Sequence, residues 1–284
     1  MNLDDYAPLV KLALSEDLGD RGDVTSSAVF DLEFSQAVLL SKDTGILAGR
    51  DVFCYVMGEV DHELKVDFMF DDGAALKPGN RVAVVRGRVL SILTAERCAL
   101  NFLSFLSGIA TAAGAFSSAS SLAGNALILD TRKTLPGYRN ISKYAVRVGG
   151  GKNHRNGLYD MVLLKDNHID FSGSISEAVK RVRRRWADEL RIEVECRSLE
   201  EVKEALECGV DVIMLDNMDE KAVRRAVDIR NSSQSGKIEL EASGNMDLEQ
   251  VPAMSAAGVD YISVGGLTHS VKSFDFSLKT DLPK

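Results

Sequence analysis

Six short apolar runs in the second part of this chain each end in polar or charged residues or in glycine, and no other feature constrains the fold as tightly. Ala126-Leu127-Ile128-Leu129 leads into Asp130-Thr131-Arg132-Lys133, and Met161-Val162-Leu163-Leu164 into Lys165-Asp166-Asn167-His168. Ile192 and Val194 lead into Glu195, Val212-Ile213-Met214-Leu215 into Asp216-Asn217, Ile238 and Leu240 into Glu241-Ala242-Ser243-Gly244-Asn245, and Tyr261-Ile262-Ser263-Val264 into Gly265-Gly266. Runs of this length separated by helical patterns are read as parallel strands buried on both faces. In parallel α/β architectures the carboxyl ends of the strands carry the active site. Six such ends in series describe the rim of a pocket, and hence an enzyme.

The strand–loop–helix rhythm starts at Ala126, and the chain beyond that point is too short for the roughly 250 residues that eight βα units need. A reduced, open or distorted barrel is expected, with a doubly wound open sheet as the alternative. Helix starts are expected where Ser174 precedes Glu177, Ser198 precedes Glu201 and Asp247 precedes Gln250, the spacing of side-chain capping. Gly-Val-Asp recurs at Gly209 and Gly258, which reads as one αβ turn used twice.

The first part of the chain has a different pattern. Residues 1–22 read as a short amphipathic helix with Leu9, Leu12, Ala13 and Leu14 on one face, ending near Gly19. From about 24 to 93 the pattern is β-rich, including Val89 to Leu93, with a helix around Cys54 to Met57. A helix is expected from Thr94, with Leu100, Leu103, Leu106 and Ile109 on one stripe and a break near Gly108 or Gly114. The domains are therefore set at 1–107 and 108–284, with the tail from about 271 free to pack on the first.

Composition removes several function classes. A net charge of −8 argues against nucleic acid as a partner. The start, Met1-Asn2-Leu3-Asp4-Asp5, is acidic rather than signal-like, and no stretch is read as long and apolar enough for a membrane span. Cys54, Cys98, Cys196 and Cys208 lack paired spacing, as expected of reduced thiols in a cytoplasmic protein. Within this acidic chain, positive charge concentrates between Thr131 and Lys165, where Asp160 is the only acid, so a small polyanion is the expected ligand. Lys143 and Arg147 fit a solvated helix face equally well.

Arg132 and Lys133 follow a buried strand and precede Pro136-Gly137, offering a planar fork and a point charge to carboxylate or phosphate. Gly149-Gly150-Gly151 before His154 and Arg155 reads either as an anion cradle or as a tight turn. Lys165 reads as a substrate-binding cation or a Schiff-base nucleophile, and His168 as a catalytic group or a locally satisfied histidine. Glu195 and Asp216 end successive strands, where they can hold Mg²⁺, bind sugar hydroxyls or stabilise a developing cation. Ser243-Gly244-Asn245 and Val264-Gly265-Gly266 end the last two strands, where barrels bind phosphate.

These motifs, with Glu16-Asp17-Leu18-Gly19, Gly22-Asp23-Val24-Thr25-Ser26, Glu96-Arg97, Leu100-Asn101, Thr134, Asn153, Gly157-Leu158, Glu193-Val194, Met214-Leu215, Met218, Ser263 and Leu267-Thr268-His269-Ser270, closely resemble the quinolinate phosphoribosyltransferases, in order from about 16 to 270. The resemblance implies an N-terminal α/β sandwich domain and a C-terminal α/β barrel of fewer than eight strands. It implies phosphoribosyl transfer from phosphoribosyl pyrophosphate to quinolinate with decarboxylation, in NAD biosynthesis, with Mg²⁺. It also implies a homodimer or higher homo-oligomer in which Arg97 reaches the partner's site. Arg97, Thr131, Arg132, His154, Arg155 and Lys165 would then surround the quinolinate carboxylates. Lys133 would face that dianion or the pyrophosphate. Glu195 and Asp216 would address the ribose and magnesium, and Ser243, Gly244, Asn245, Val264, Gly265 and Gly266 the 5′-phosphate. Leu135 and Gly266 depart from the family pattern without removing a charge. Asn153-His154-Arg155 separates the chain from a related subgroup of molybdate-transport operons. A Schiff-base lyase using Lys165 and a non-catalytic anion-binding protein are the alternatives from other classes.

Overall fold

A computed structural model describes residues 1–233 and 238–280. In chain order the elements are α1 (Ala7–Leu18), α2 (Ser26–Val29), β1 (Phe34–Ser41), β2 (Gly45–Ile46), α3 (Arg50–Val60), β3 (Lys65–Phe68), β4 (Ala75–Leu76), β5 (Arg81–Arg88) and α4 (Val89–Ser121). There follow β6 (Leu127–Leu129), α5 (Arg139–Val148), β7 (Val162–Leu164), α6 (Asp166–Ser172), α7 (Ile175–Trp186), β8 (Ile192–Cys196) and α8 (Leu199–Cys208). The last are β9 (Val212–Asp216), α9 (Glu220–Ser232), β10 (Glu239–Ser243), α10 (Val251–Ala257), β11 (Tyr261–Ser263), α11 (Gly266–His269) and β12 (Phe276–Thr280). The chain divides into two compact units, one of Met1–Gly114, Thr134–Gly150 and Thr268–Lys284, the other of Ala115–Lys133 and Gly151–Leu267.

The first unit is built on an antiparallel sheet in the order β12-β1-β5-β3, with a small β2-β4 ribbon. The C-terminal strand β12 pairs along β1, from Ala37 opposite Thr280 to Ser41 opposite Phe276. Residues 281–284 of the tail lie outside the described residues. Helix α3 packs on this layer, with Phe53 edge-on to Phe68 of β3 at 5.6 Å.

Three expectations need correction here. Val89 to Leu93 form not a strand but the first turn of α4, so Thr94 and Arg97 lie inside a helix rather than at its cap. Helix α4 does not break at its glycines: they are sites of close packing, where a Cβ on Gly108 would stand 2.4 Å from the Lys272 carbonyl and one on Gly114 2.5 Å from Ile46. The expected boundary at 107/108 therefore falls within a continuous helix. Third, α4 is by length and composition long and apolar enough to pass for a membrane span. It serves instead as a core helix, with Leu100, Leu103, Leu106 and Ile109 buried on one stripe as expected. Helix α1 ends at Gly19, but its buried residue is Val10 while Leu12 is exposed. Lys143 of α5 is buried, not solvated.

The second unit is a six-stranded parallel sheet in the order β6-β11-β10-β9-β8-β7. It has fewer than eight strands among the described residues, with β6 and β7 as its edge strands and Lys152 bridged to the outer side of β6. Ser174 and Ser198 accept the Glu177 and Glu201 N–H groups and start α7 and α8. Asp219 caps α9 in the same way, accepting from Ala222. Asp247 and Gln250 make their reciprocal bonds across the turn that precedes α10, rather than on the helix itself. Gly209 and Gly258 end α8 and α10 in the left-handed conformation that the repeated turn requires. The helices bury Ile175, Ala178 and Val179, then Val202, Ala205 and Leu206, then Val223, Ala226 and Val227, spacings that put each set on one face. Fully buried Val194, Ile213, Leu215, Leu240 and Ile262 form the sheet's apolar face, each large side chain contributing roughly 1.5–3 kcal/mol.

Candidate active site

Strand alternation decides which side chains reach the pocket. In β8, Ile192, Val194 and Cys196 occupy one face and Glu193 and Glu195 the other; in β10, Leu240 and Ala242 oppose Glu239, Glu241 and Ser243. Strands apolar on both faces, as first expected, are therefore not what β8 and β10 are. Their inner face is polar from end to end. At the base, the Arg191 guanidinium pairs with Glu239, whose Oε1 accepts from the Tyr261 hydroxyl at 2.8 Å. Above lies a cavity of about 320 Å³ lined by Leu129, His154, Arg155, Met161, Glu193 and Glu241 among others. At the carboxyl ends stand Lys165, Glu195, Asp216 and Ser243.

The cationic side of the site is assembled on the free edge of β6. The Lys152 N–H donates to Ile128 O at 2.8 Å and Lys152 O accepts from the Asp130 N–H at 3.2 Å, so residues after Gly151 run alongside that edge. Asp130, fully buried, accepts the His154 N–H at 3.0 Å and also the Asn153 side-chain amide. Thr131 Oγ1 accepts the Lys133 N–H at 3.0 Å and shapes the turn that carries Arg132 and Lys133. Arg155 donates to Met161 O at 3.3 Å. Its pKa is lowered, first by burial and then by Arg132, so two guanidiniums stand near enough to repel.

His154 is placed differently from the expected substrate contact. Its Nε2 lies 2.9 Å from Glu193 Oε2 and 3.5 Å from Glu241 Oε2, while Nδ1 accepts the Arg155 N–H at 2.7 Å. These three residues form the tightest carboxylate–imidazole group, with ligand atoms within 4.8 Å of one another. Asp130, Glu193 and Glu241 are buried acids to which the sequence reading gave no role, although Asp130 and Glu241 stand in its strand-end motifs. The signal was present, since glutamate at alternate positions in Glu193-Val194-Glu195 and Glu239-Leu240-Glu241 marks one polar face.

The carboxylate side forms where β7, β8 and β9 end. Lys165 Nζ lies 3.4 Å from Glu195 Oε2. The Glu195 carboxyl is held above its ordinary pKa by burial, opposed by Lys165 and reinforced by Asp216. Two acids close enough to feel each other supply hard oxygen donors, a set that fits Mg²⁺ carried on a phosphate. Pairing with Glu195 uses Lys165 as a charge, which favours the cation reading over a Schiff-base nucleophile. His168 Nδ1 accepts the Lys165 N–H at 3.0 Å, and this local capping accounts for the histidine.

Ser243, Gly244 and Asn245 interlock with the neighbouring loop. The Asn217 N–H donates to Ser243 O at 2.9 Å, and a Cβ on Gly244 would stand 2.2 Å from Asn217 Oδ1. Asn217 and Asn245 both hold positive φ, 50° and 45°, strain of the kind concentrated at functional loops. Of the second turn, Val264 is buried and its N–H donates to Leu129 O at 2.9 Å, while Gly265 and Gly266 are half-buried. Gly149 and Gly150 belong to the first unit, where a Cβ on Gly149 would stand 2.2 Å from Ala110 O and Gly150 makes a left-handed turn. Close packing accounts for them without an anion. Arg97 is exposed on α4 of the first unit.

Comparison with known proteins agrees with this geometry. Residues 23–107 match the N-terminal domain and residues 109–279 the C-terminal domain of quinolinate phosphoribosyl transferase. The chain is 43% identical over 296 residues to quinolinate phosphoribosyltransferase [decarboxylating] 1b of Nicotiana tabacum, covering 98% of this chain and 83% of that protein. It is 41% identical to the probable nicotinate-nucleotide pyrophosphorylase [carboxylating] of Bacillus subtilis, covering 94% and 90%. The crystal structure of NadC from Streptococcus pyogenes superposes with a TM-score of 0.93 at 40% identity, covering 98% of this chain and 97% of that one.

Proposed function

The chain belongs to the quinolinate phosphoribosyltransferase family, and we propose that the pocket of its second unit carries out that family's reaction with the residue roles set out here. Quinolinate and phosphoribosyl pyrophosphate give nicotinate mononucleotide, pyrophosphate and CO2, a step of NAD biosynthesis. What supports the assignment is that Arg132 follows the carboxyl end of β6 while Lys165, Glu195 and Asp216 stand at the carboxyl ends of β7, β8 and β9 of the same sheet, with Lys165 Nζ 3.4 Å from Glu195 Oε2.

Arg132 and Arg155 clamp the two carboxylates of quinolinate, and Lys165, bridged to Glu195, lies between this clamp and the ribose. Thr131 holds the turn in place, and Lys133 faces the dianion or the pyrophosphate. Fixing a dianion by several cations orients the ring nitrogen toward the anomeric carbon, an arrangement that supplies a large part of barrier lowering. As the bond from that carbon to pyrophosphate breaks, positive charge grows on the ribose, where the Glu195 and Asp216 carboxylates stabilise it. The ring nitrogen then bonds to the carbon. The resulting pyridinium stabilises the carbanion left when the adjacent carboxylate departs as CO2, and a proton takes its place. Mg²⁺, held by Glu195 and Asp216 through substrate and water, would offset charge on the leaving pyrophosphate. Ser243, Gly244, Asn245, Gly265 and Gly266 take the 5′-phosphate.

We further propose a homodimer or higher homo-oligomer in which exposed Arg97 of one copy completes the dicarboxylate clamp of another. A cytoplasmic setting suits the four free cysteines. The test is titration calorimetry with quinolinate and with nicotinate, which lacks the 2-carboxylate. Quinolinate is expected to bind about a hundredfold more tightly, because a site built for a dianion leaves buried cations unpaired with the monoanion. Equal affinity for the two would reject the clamp.

A further inference from the structure

Glu193 and Glu241 lie below the rim, where no substrate role is assigned to them, yet both are essentially unexposed. Buried carboxylates are costly against an apolar residue of similar volume, so their arrangement must serve something. Both converge on one atom, His154 Nε2, at 2.9 and 3.5 Å. Because Nδ1 accepts the Arg155 N–H at 2.7 Å, the ring proton belongs on Nε2, which stands within ion-pair range of both acids without an aligned hydrogen bond. Both ring nitrogens thereby face protein groups, and the imidazole acts as a strut rather than a substrate ligand. A third buried acid, Asp130, holds the His154 N–H at 3.0 Å. The loop that carries Arg155 is thus fixed from the end of β6 and from the interiors of β8 and β10.

Such anchoring has a purpose in an empty site. Arg132 and Arg155 repel each other, and an untethered Arg155 would swing toward solvent until a dianion drew it back, weakening binding by the cost of that reordering. We propose that Glu193 and Glu241 are positioning residues for the dicarboxylate: acting through His154, they hold Arg155 beside Arg132 before substrate arrives. This rests on the functional reading above. The two acids are not equivalent. Glu193 stands nearer the ring, its Oε2 2.9 Å from His154 Nε2 against 3.5 Å for Glu241 Oε2.

The experiment is calorimetric titration of wild type, Glu193→Gln and Glu241→Gln with quinolinate, and separately with phosphoribosyl pyrophosphate and Mg²⁺, alongside thermal melts. Glu193→Gln removes the nearer carboxylate and is expected to weaken quinolinate binding about ten- to a hundredfold. Its affinity for phosphoribosyl pyrophosphate should stay within about twofold, a split that general loosening of the fold would not produce. Glu241→Gln, at the acid farther from the ring, should weaken quinolinate binding distinctly less. If Glu193→Gln does not fold, His154→Gln, which lacks the Nδ1 acceptor, must show the same selective loss. A wild type that binds no quinolinate overturns the functional reading and this proposal with it. A wild type that binds, with Glu193→Gln binding equally well or losing both ligands alike, overturns the proposal alone. So would tight Mn²⁺ binding in the absence of substrates that Glu193→Gln abolishes, since the cluster would then be a cation site.

Discussion

Arg155→Ala is expected to lower kcat/KM for quinolinate by roughly a hundred- to a thousandfold while the protein stays folded. Truncating one partner of a partly buried, charge-assisted pair costs about 2–5 kcal/mol, and each factor of ten corresponds to about 1.4 kcal/mol. Here the partner left behind is a carboxylate of a dianion, facing Arg132 without the second fork. The fold tolerates the change because the Arg155 guanidinium makes one long bond to the protein, to Met161 O at 3.3 Å, in a polar loop. Arg155→Lys is expected to recover little, since an ammonium cannot reproduce the planar two-donor geometry. Steady-state kinetics with circular dichroism on the purified variant measure both halves of the claim. Near-normal kcat/KM for quinolinate in a folded Arg155→Ala protein would remove Arg155 from the clamp.

Glu195→Gln is expected to act on the other half of the reaction. The amide preserves shape but cannot offset charge growing on the ribose, and losing one such preorganised group costs about a hundred- to a thousandfold in kcat. The quinolinate KM should move far less, because Glu195 faces the sugar and Lys165 rather than the guanidinium pair. A pH signature follows. Burial raises the Glu195 pKa above the ordinary carboxylate range, and the ionised form is the one that stabilises a cation. Wild-type kcat should therefore be lost as pH falls through that raised value and regained as it rises, whereas Glu195→Gln should show no such acid limb. An unchanged kcat, or an acid limb that persists in the variant, would place the stabilising charge elsewhere.

Much of this site can be read directly from strand ends. Runs such as Val212-Ile213-Met214-Leu215-Asp216 carry their own boundary, because a buried strand must finish where charge reaches water, and the Ser174 and Ser198 caps are local chemistry within four residues. What sequence reading misjudged was decided by partners far along the chain. Val89 to Leu93 suit a strand by propensity but continue into the packed apolar stripe of α4, and tertiary burial overrode propensity. Gly108 looks like a helix break until Lys272, distant in sequence, is seen to press against it. Strand β12 completes the first sheet by pairing with β1, a contact no local pattern contains. His154 reads as a ligand because its three acid partners, Asp130, Glu193 and Glu241, come from three different strand regions. Glu193 sits mid-strand, where attention to run ends does not look, and Glu241 was read as the end of a run when the strand continues to Ser243; alternation of faces would have marked both as buried on the polar face.

The central claim, that the second unit's pocket joins quinolinate to a phosphoribosyl group with loss of CO2, is tested most directly by turnover. Purified protein would be given quinolinate, phosphoribosyl pyrophosphate and Mg²⁺, with nicotinate replacing quinolinate in a parallel reaction. Nicotinate mononucleotide, pyrophosphate and CO2 should appear in equal amounts from quinolinate, and no nucleotide from nicotinate. Folded protein that forms no nucleotide from quinolinate, or forms it as readily from nicotinate, would contradict the account.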